Sequence, residues 1–265
     1  MTVQFETSEY EIGGVHTVVK AIGKGKPVLF LHGAATLEGF DFAEGLSDRF
    51  RVYCPSHPGM GYSGDAPHVS GSMDIIIHYL NLLDAMDFPE KPHLIGFSMG
   101  GWLATELAAV AGDRFDRVVL LAPAGLNDPD HPATDLGSIA PQDLPGFLAH
   151  DPKVALQYFP DGSDPAFAEK FGADRAREGE TVGRICAPFG MGHPNLSRML
   201  ARIANPALVV WGEEDRLLPA SQMPLWVEQL PNGQALLIEG TGHLLLQEQP
   251  DSVTKIGDFL AGQTP

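Results

Sequence analysis

Three short segments carry side chains that could cooperate in acyl transfer. Gly96-Phe97-Ser98-Met99-Gly100-Gly101 sets a serine among glycines, with an apolar run before it and an Ala-rich helical stretch after it. A serine on such a sharp strand-to-helix turn takes a strained backbone and lifts its hydroxyl above the sheet. Any Cβ at the flanking glycines would strike the neighbouring elements. The turn also puts the Met99 amide at a helix N-terminus, where an N–H can stabilise a developing oxyanion. A serine hydroxyl becomes a useful nucleophile only when a base takes its proton and an acid orients that base. Trp211-Gly212-Glu213-Glu214-Asp215 and Gly240-Thr241-Gly242-His243 each follow an apolar run, so the chain order is nucleophile, acid, base. Asp215 is the expected partner of His243 Nδ1, which leaves Nε2 for Ser98. Glu213, Glu214 and Asp128 are the other carboxylates that could serve. Leu31-His32-Gly33-Ala34 closes an earlier apolar run. Gly33 is read there as a turn aiming the Ala34 N–H into the same pocket as that of Met99, and His32 as a side chain that hydrogen-bonds the loop.

Elements that could hold these residues alternate along the chain. Short apolar runs read as strands near Val3–Phe5 and Val15–Ala21, then at Pro27–His32, Arg51–Cys54, His93–Gly96, Arg117–Leu121, Ala207–Trp211 and Ala235–Ile238. Helical patterns fall at Phe40–Phe50, Ser72–Met86 with Ser72 as N-cap, Met99–Ala111, Ala220–Leu230 and Pro250–Leu260. This alternation predicts an α/β fold with a mostly parallel, doubly wound sheet. Between residues 125 and 199 the pattern changes. Nine prolines, many acidic residues and isolated aromatics predict a small inserted lid of short helices over a core formed by 1–124 and 200–265. Its acidic residues are read as a solvated face.

The composition excludes several classes. The chain has 265 residues, 17 Lys+Arg against 34 Asp+Glu, and a net charge of −17. So acidic a surface repels phosphate backbones and anionic headgroups, so neither nucleic acid nor a membrane is an expected partner. Cys54 and Cys186 are the only cysteines, too few for a disulfide framework and without metal-ligand spacing. His16, His68, His78, His93, His131, His150 and His193 also lack ligand spacing, so no metal is expected. The opening MTVQFETSEYEIGG shows neither a basic nor an apolar signal region, and no apolar run reaches membrane-spanning length. The expectation is a soluble, cytoplasmic protein acting on a small molecule. The oligomeric state stays open, with a homodimer as one option.

These motifs together resemble the α/β-hydrolase superfamily, in its lid-bearing branch that cleaves ester, lactone and carbon–carbon bonds. The resemblance rests on His32-Gly33 after one strand, HPGMGYSG at 57–64, GFSMGG at 96–101, WGEED at 211–215 and GTGH at 240–243. It implies an eight-stranded sheet, a lid inserted after the sixth strand, a pocket between lid and core, and a cofactor-free mechanism. It also implies substrate contact for His57, whose loop borders the pocket in relatives, with Phe97 and His32 as further contact candidates. The chain departs from the pattern at Ser56, where relatives carry aspartate, and at Leu244-Leu245-Leu246, which predicts an aliphatic wall beside the base. The expected function is hydrolysis of small to medium, largely uncharged esters or lactones through an acyl-enzyme on Ser98. Alternatives are hydrolysis of a carbon–carbon bond in a vinylogous diketone, with Arg175, Arg177, Arg184 or Arg198 as carboxylate anchor, and a small-molecule receptor on the same fold.

Overall fold

The computed structural model describes residues 4–37 and 39–264. Its apolar runs assemble into one sheet of eight strands: β1 (Glu6–Ile12), β2 (Val15–Gly23), β3 (Lys26–Leu31), β4 (Phe50–Pro55), β5 (His93–Phe97), β6 (Val118–Leu121), β7 (Ala207–Gly212) and β8 (Gly233–Ile238), in the spatial order β1-β2-β4-β3-β5-β6-β7-β8. The β1–β2 and β2–β4 pairs are antiparallel and every pair from β4 to β8 is parallel. The central strands are buried along their length, as their unbroken Val, Leu and Ile runs require of strands covered on both faces. The first expected strand is displaced: Val3 lies outside the described residues, Phe5 precedes β1, and the strand begins at Glu6.

The connections alternate with the strands. A 3₁₀ turn at Asp41–Leu46 stands where a helix over Phe40–Phe50 was expected. The helices then follow as α1 (Ser72–Met86), α2 (Met99–Ala111), α3 (Leu144–Leu148), α4 (Pro152–Leu156), α5 (Pro165–Cys186), α6 (Leu196–Leu200), α7 (Met223–Gln229), α8 (Leu245–Glu248) and α9 (Ser252–Leu260). Helix α2 packs on β5, β6 and β3 and is buried around nearly its whole circumference, which explains its Ala- and Gly-rich sequence. Ser72 is the first helical residue of α1 rather than its N-cap, and its hydroxyl is drawn to the Glu106 carboxylate. The stretch from Ala220 splits into a 3₁₀ turn and α7. Pro250 lies outside α9, one residue before the N-cap Asp251.

The winding direction fixes where a site can form. From β3 the chain steps to β4 on one side, then returns past β3 to β5 on the other. The carboxyl ends of β3 and β5 therefore sit side by side at the point where the sheet order reverses, the usual crevice for a ligand in such sheets. Between β6 and β7 the chain leaves the sheet and forms α3 to α6. Short helices were the expected grammar there, and three of the four are short, but α5 runs 22 residues. Its start is well specified: the Asp164 side chain accepts from the amides of Ala166 and Phe167, and Pro165 fills the first turn.

Candidate active site

Ser98 links β5 directly to α2 and adopts φ +54° and ψ −119°, a conformation that side chains rarely take. Its peptide is held on both sides. Ser98 N donates to Leu121 O at 2.9 Å, and Ser98 O accepts from Gly101 N at 2.9 Å and Ala124 N at 2.9 Å. The neighbouring glycines are spatial requirements. A Cβ at Gly96 would strike Gly100 O and the Ala104 side chain, and one at Gly100 would strike Leu31 O and His32 O. Strand, turn and helix thus approach more closely than any larger residue permits. Ser98 itself stays partly exposed.

His243 arrives on the loop after β8 and is 4% exposed. Its Nε2 lies 3.0 Å from Ser98 Oγ and its Nδ1 lies 2.8 Å from Asp215 Oδ2. The other carboxylate oxygen, Asp215 Oδ1, accepts from the amides of Leu217 and Leu218 at 2.9 Å each. A carboxylate accepts only, so His243 Nδ1 carries the hydrogen and Nε2 presents its lone pair to the serine hydroxyl. The structure brings together the three residues expected from the sequence, and it selects Asp215 among the carboxylates. Glu213 and Glu214 are exposed, Glu213 accepting from Gly240 N at 3.4 Å, while Asp128 pairs with His131 at 3.0 Å. Phe97 packs on the imidazole with ring centroids 5.0 Å apart. Leu244, Leu245 and Leu246 are all buried behind it, and Leu246 and Phe97 share the wall of a small cavity with Phe30 and Phe42.

The loop after β3 lies against this serine. A Cβ on Gly33 would stand 3.5 Å from Ser98 Cβ and 3.4 Å from the Phe97 ring, ordinary contact, and Gly33 does not adopt a left-handed φ. The turn that Gly33 makes is therefore open to other residues in backbone terms, and its lack of a side chain leaves room beside Ser98. Neither the Ala34 nor the Met99 N–H donates to any acceptor among the described residues. Two free amides therefore flank the serine, one on the adjacent loop and one at the start of α2.

His32 and His57 belong to the scaffold: His32 bonds its own loop, as expected from the sequence, and the expectation of substrate contact for either ring is corrected. His32 Nδ1 donates to Gly33 O at 2.8 Å, and its Nε2 accepts from His57 N at 2.9 Å. His57 Nε2 donates to His32 O at 2.8 Å, and its Nδ1 accepts from Tyr79 OH at 2.6 Å. The rings stack 3.8 Å apart, fully buried. Burial holds the His32 pKa down to about 4 and that of His57 well below the usual histidine value, so both rings are neutral. Burial likewise raises Tyr79, which keeps its proton and donates. All four ring nitrogens are spent on fixing one loop to another.

Sequence reasoning missed a second set of polar residues. Glu178 on α5 was read as part of a solvated face, yet it is 2% exposed and meets Thr36, Gly61 and Arg175. Glu248 accepts from Gly242 N at 2.6 Å and Asp151 N at 2.9 Å, tying the His243 loop to the start of α4. Of the four arginines considered as anchors, Arg177 pairs with Asp65 and two loop carbonyls, Arg184 donates to Thr181, and Arg198 faces solvent. Arg175 pairs with Glu178 at 2.8 Å and keeps Nε and Nη1 buried without a partner. It lines a cavity of about 720 Å³ together with Thr36, Leu37, Phe40, Tyr158 and Phe171. Among the described residues no three His, Cys, Asp or Glu side chains converge to hold a metal ion, and no helix is long and apolar enough to cross a membrane.

Comparison with known proteins agrees with this geometry. The chain is 26% identical to a pimeloyl-[acyl-carrier protein] methyl ester esterase of Aeromonas hydrophila, over 92% of this chain and 98% of that protein. It is 28% identical to a poly(3-hydroxyalkanoate) depolymerase of Ectopseudomonas oleovorans, over 95% of this chain and 90% of that protein. Among solved structures, a serine hydrolase involved in carbazole degradation superimposes with a TM-score of 0.80 at 22% identity, covering 98% of this chain and all (100%) of that one. The 2-hydroxy-6-oxo-6-phenylhexa-2,4-dienoate hydrolase of Rhodococcus sp. strain RHA1 superimposes at 0.77 with 20% identity, covering 97% and 99%. These two structural likenesses speak for the fold. Residues 28–256 match the alpha/beta hydrolase family, and with that match the chain belongs to this family and is an enzyme of hydrolase type.

Proposed function

We propose that the protein is a serine hydrolase that cleaves small to medium, largely uncharged carboxylic esters or lactones by two-step acyl transfer. The observation that carries this reading is the continuous relay from Asp215 through His243 to Ser98, with contacts of 2.8 and 3.0 Å. In the first step His243 Nε2 takes the Ser98 proton while Oγ bonds to the substrate carbonyl carbon. The carbonyl electron pair moves onto oxygen, where the Ala34 and Met99 amides receive it. The intermediate then expels the alcohol oxygen, which leaves with the proton from His243. Water next bonds to the acyl carbon and gives its proton to His243. Ser98 Oγ departs and recovers that proton, releasing the acid. Each free amide in such a site is worth about 2.7–4 kcal/mol of transition-state stabilisation. The insertion from α3 to α6 serves in this reading as the lid. The cavity of about 720 Å³ between α5 and the loop that carries Thr36, Phe40 and Asp41, which the catalytic side chains do not themselves line, receives the part of a small-molecule substrate remote from the scissile carbonyl.

The test is hydrolysis of p-nitrophenyl acetate and butyrate by the wild type beside Ser98→Ala. Turnover by the wild type alone is expected, and equal rates would remove the assignment. Labelling of Ser98 by a fluorophosphonate without turnover of any ester would instead favour a receptor.

One observation favours a second reading, hydrolysis of a carbon–carbon bond in a dienoate diketone. Arg175 lines the cavity and holds two buried guanidinium nitrogens without a hydrogen-bond partner, a spare donor capacity that a modest side-chain shift would offer to a substrate carboxylate. Rapid turnover of a coloured dienoate with slow ester hydrolysis, lost in Arg175→Gln, would establish it in place of the ester reading.

A further inference from the structure

Helix α5 is largely exposed, and only Glu178, Thr181 and Ile185 are buried along its 22 residues. Two of the three are polar, so the helix does not meet the core as an apolar stripe would. It meets two loops by hydrogen bonds. Glu178 Oε1 accepts from Thr36 Oγ1 at 2.7 Å and Gly61 N at 3.1 Å. Glu178 Oε2 accepts from Thr36 N at 3.3 Å and Arg175 Nη2 at 2.8 Å. Thr181 adds a hydrogen bond to Gly59 O at 3.3 Å. Burying a carboxylate costs several kcal/mol before its partners repay it, and an apolar residue would cover the same loops at less cost. The contribution of Glu178 is therefore geometric. Thr36 lies two residues beyond Ala34. The preceding Gly33 carbonyl is pinned by His32 at 2.8 Å. Ala34 thus sits between one anchor from the core and one from the insertion.

We propose that Glu178 is a positioning residue that sets the direction of the Ala34 N–H by holding Thr36. The inference rests on the acyl-transfer reading above. It makes the insertion part of the oxyanion site as well as a cover: α5 cannot swing away from the core without releasing the loop that carries Ala34. A substrate that enters without displacing α5 keeps the loop set, and one that pushes the helix aside loses that amide.

Hydrogen exchange followed by mass spectrometry, together with steady-state kinetics on p-nitrophenyl butyrate, tests this. The variants are Glu178→Leu, Thr36→Val, their combination, and Glu180→Gln on the exposed face of α5 as control. The expected result is about tenfold faster exchange of the Ala34–Leu37 amides in both single variants, with exchange at the Ser98 turn unchanged. The expected kinetic result is a fall of about tenfold or more in kcat with KM moved less than about threefold. The combined variant should be no slower than the worse single one, because both act through one contact. Where Glu178→Leu does not fold, Thr36→Val carries the test, since it exchanges the hydroxyl for a methyl of similar size and leaves the Thr36 N–H in place. Unchanged exchange at Ala34–Leu37 overturns the proposal, as does a loosened loop with unaltered kcat, or losses that multiply in the combined variant. A wild type that turns over no ester would count against the acyl-transfer reading alone, and loop exchange would still decide whether Glu178 holds the Ala34 segment.

Discussion

Ser98 keeps its φ of +54° because four backbone hydrogen bonds, one donated and three accepted, over-determine its peptide, and strain of this kind costs about 1–3 kcal/mol. Such strain suits a side chain that must stand clear of the sheet. Replacing Ser98 by alanine should leave folding intact and lower kcat by about a millionfold, since the remaining groups act only as a unit with it. Asp215→Asn isolates the orienting acid. An asparagine oxygen can still accept from Leu217 and Leu218, but its amide no longer accepts from His243 Nδ1, and the imidazole turns to the wrong tautomer. A loss of about 10⁴ in kcat, with an unchanged melting temperature, is the expected result. A loss below tenfold would show that Asp215 does not orient the base.

At the scale of elements, the site depends on how closely β3, β5 and α2 approach. Gly100→Ala would drive a methyl into the carbonyls of Leu31 and His32, which are backbone and cannot rotate away. A destabilisation of several kcal/mol is expected by denaturant titration, whereas Gly172→Ala, in open space on α5, should be neutral or slightly stabilising. These elements were legible in the sequence because burial on both faces writes an unbroken apolar run, and because GFSMGG has to be glycine-rich for steric reasons. Asp215 and His243 were legible through their place after such runs. The Glu178 contacts were not. A glutamate on a polar helix looks the same in sequence whether it faces water or a loop more than a hundred residues away, and only tertiary packing separates the two. The length of α5 could have been found, since Asp164-Pro165 is a helix-start signal that the surrounding prolines obscured. The resemblance assigns His57 to the pocket, whereas His32 reads as a loop-bonding residue and is one. Whether a ring points to substrate or back into the scaffold depends on which nitrogens the backbone occupies, and that is invisible before folding.

For the whole molecule, buried neutral histidines set the acid limit of stability. Burial lowers His32, His78 and His93 to about 4 and holds His57 well below its usual value, against about 6.5 in the unfolded chain. Between pH 6.5 and 4 the unfolded state therefore binds more protons than the folded state. Stability should be level above pH 6.5 and fall as the pH drops below it, by up to about 1.4 kcal/mol per pH unit for each such group. Thermal melts between pH 7.5 and 5 check this, and a melting temperature that rises on acidification would contradict it. His93 offers a way to dissect the effect, because both its ring nitrogens are buried without a hydrogen-bond partner. His93→Phe should remove one histidine's share of the acid slope, leaving that of the other three, without lowering stability at pH 7.5.

The covalent intermediate is the most direct test of the whole account. Rapid acid quench of the enzyme with p-nitrophenyl acetate, followed by intact-mass and peptide analysis, should show one added acetyl group on the peptide that contains Ser98. The label should build up faster than it decays in the His243→Ala variant only if some other base replaces the imidazole, so that variant is expected to remain unlabelled. Turnover without any acetylated Ser98, or labelling that persists in Ser98→Ala, would contradict the mechanism at its root.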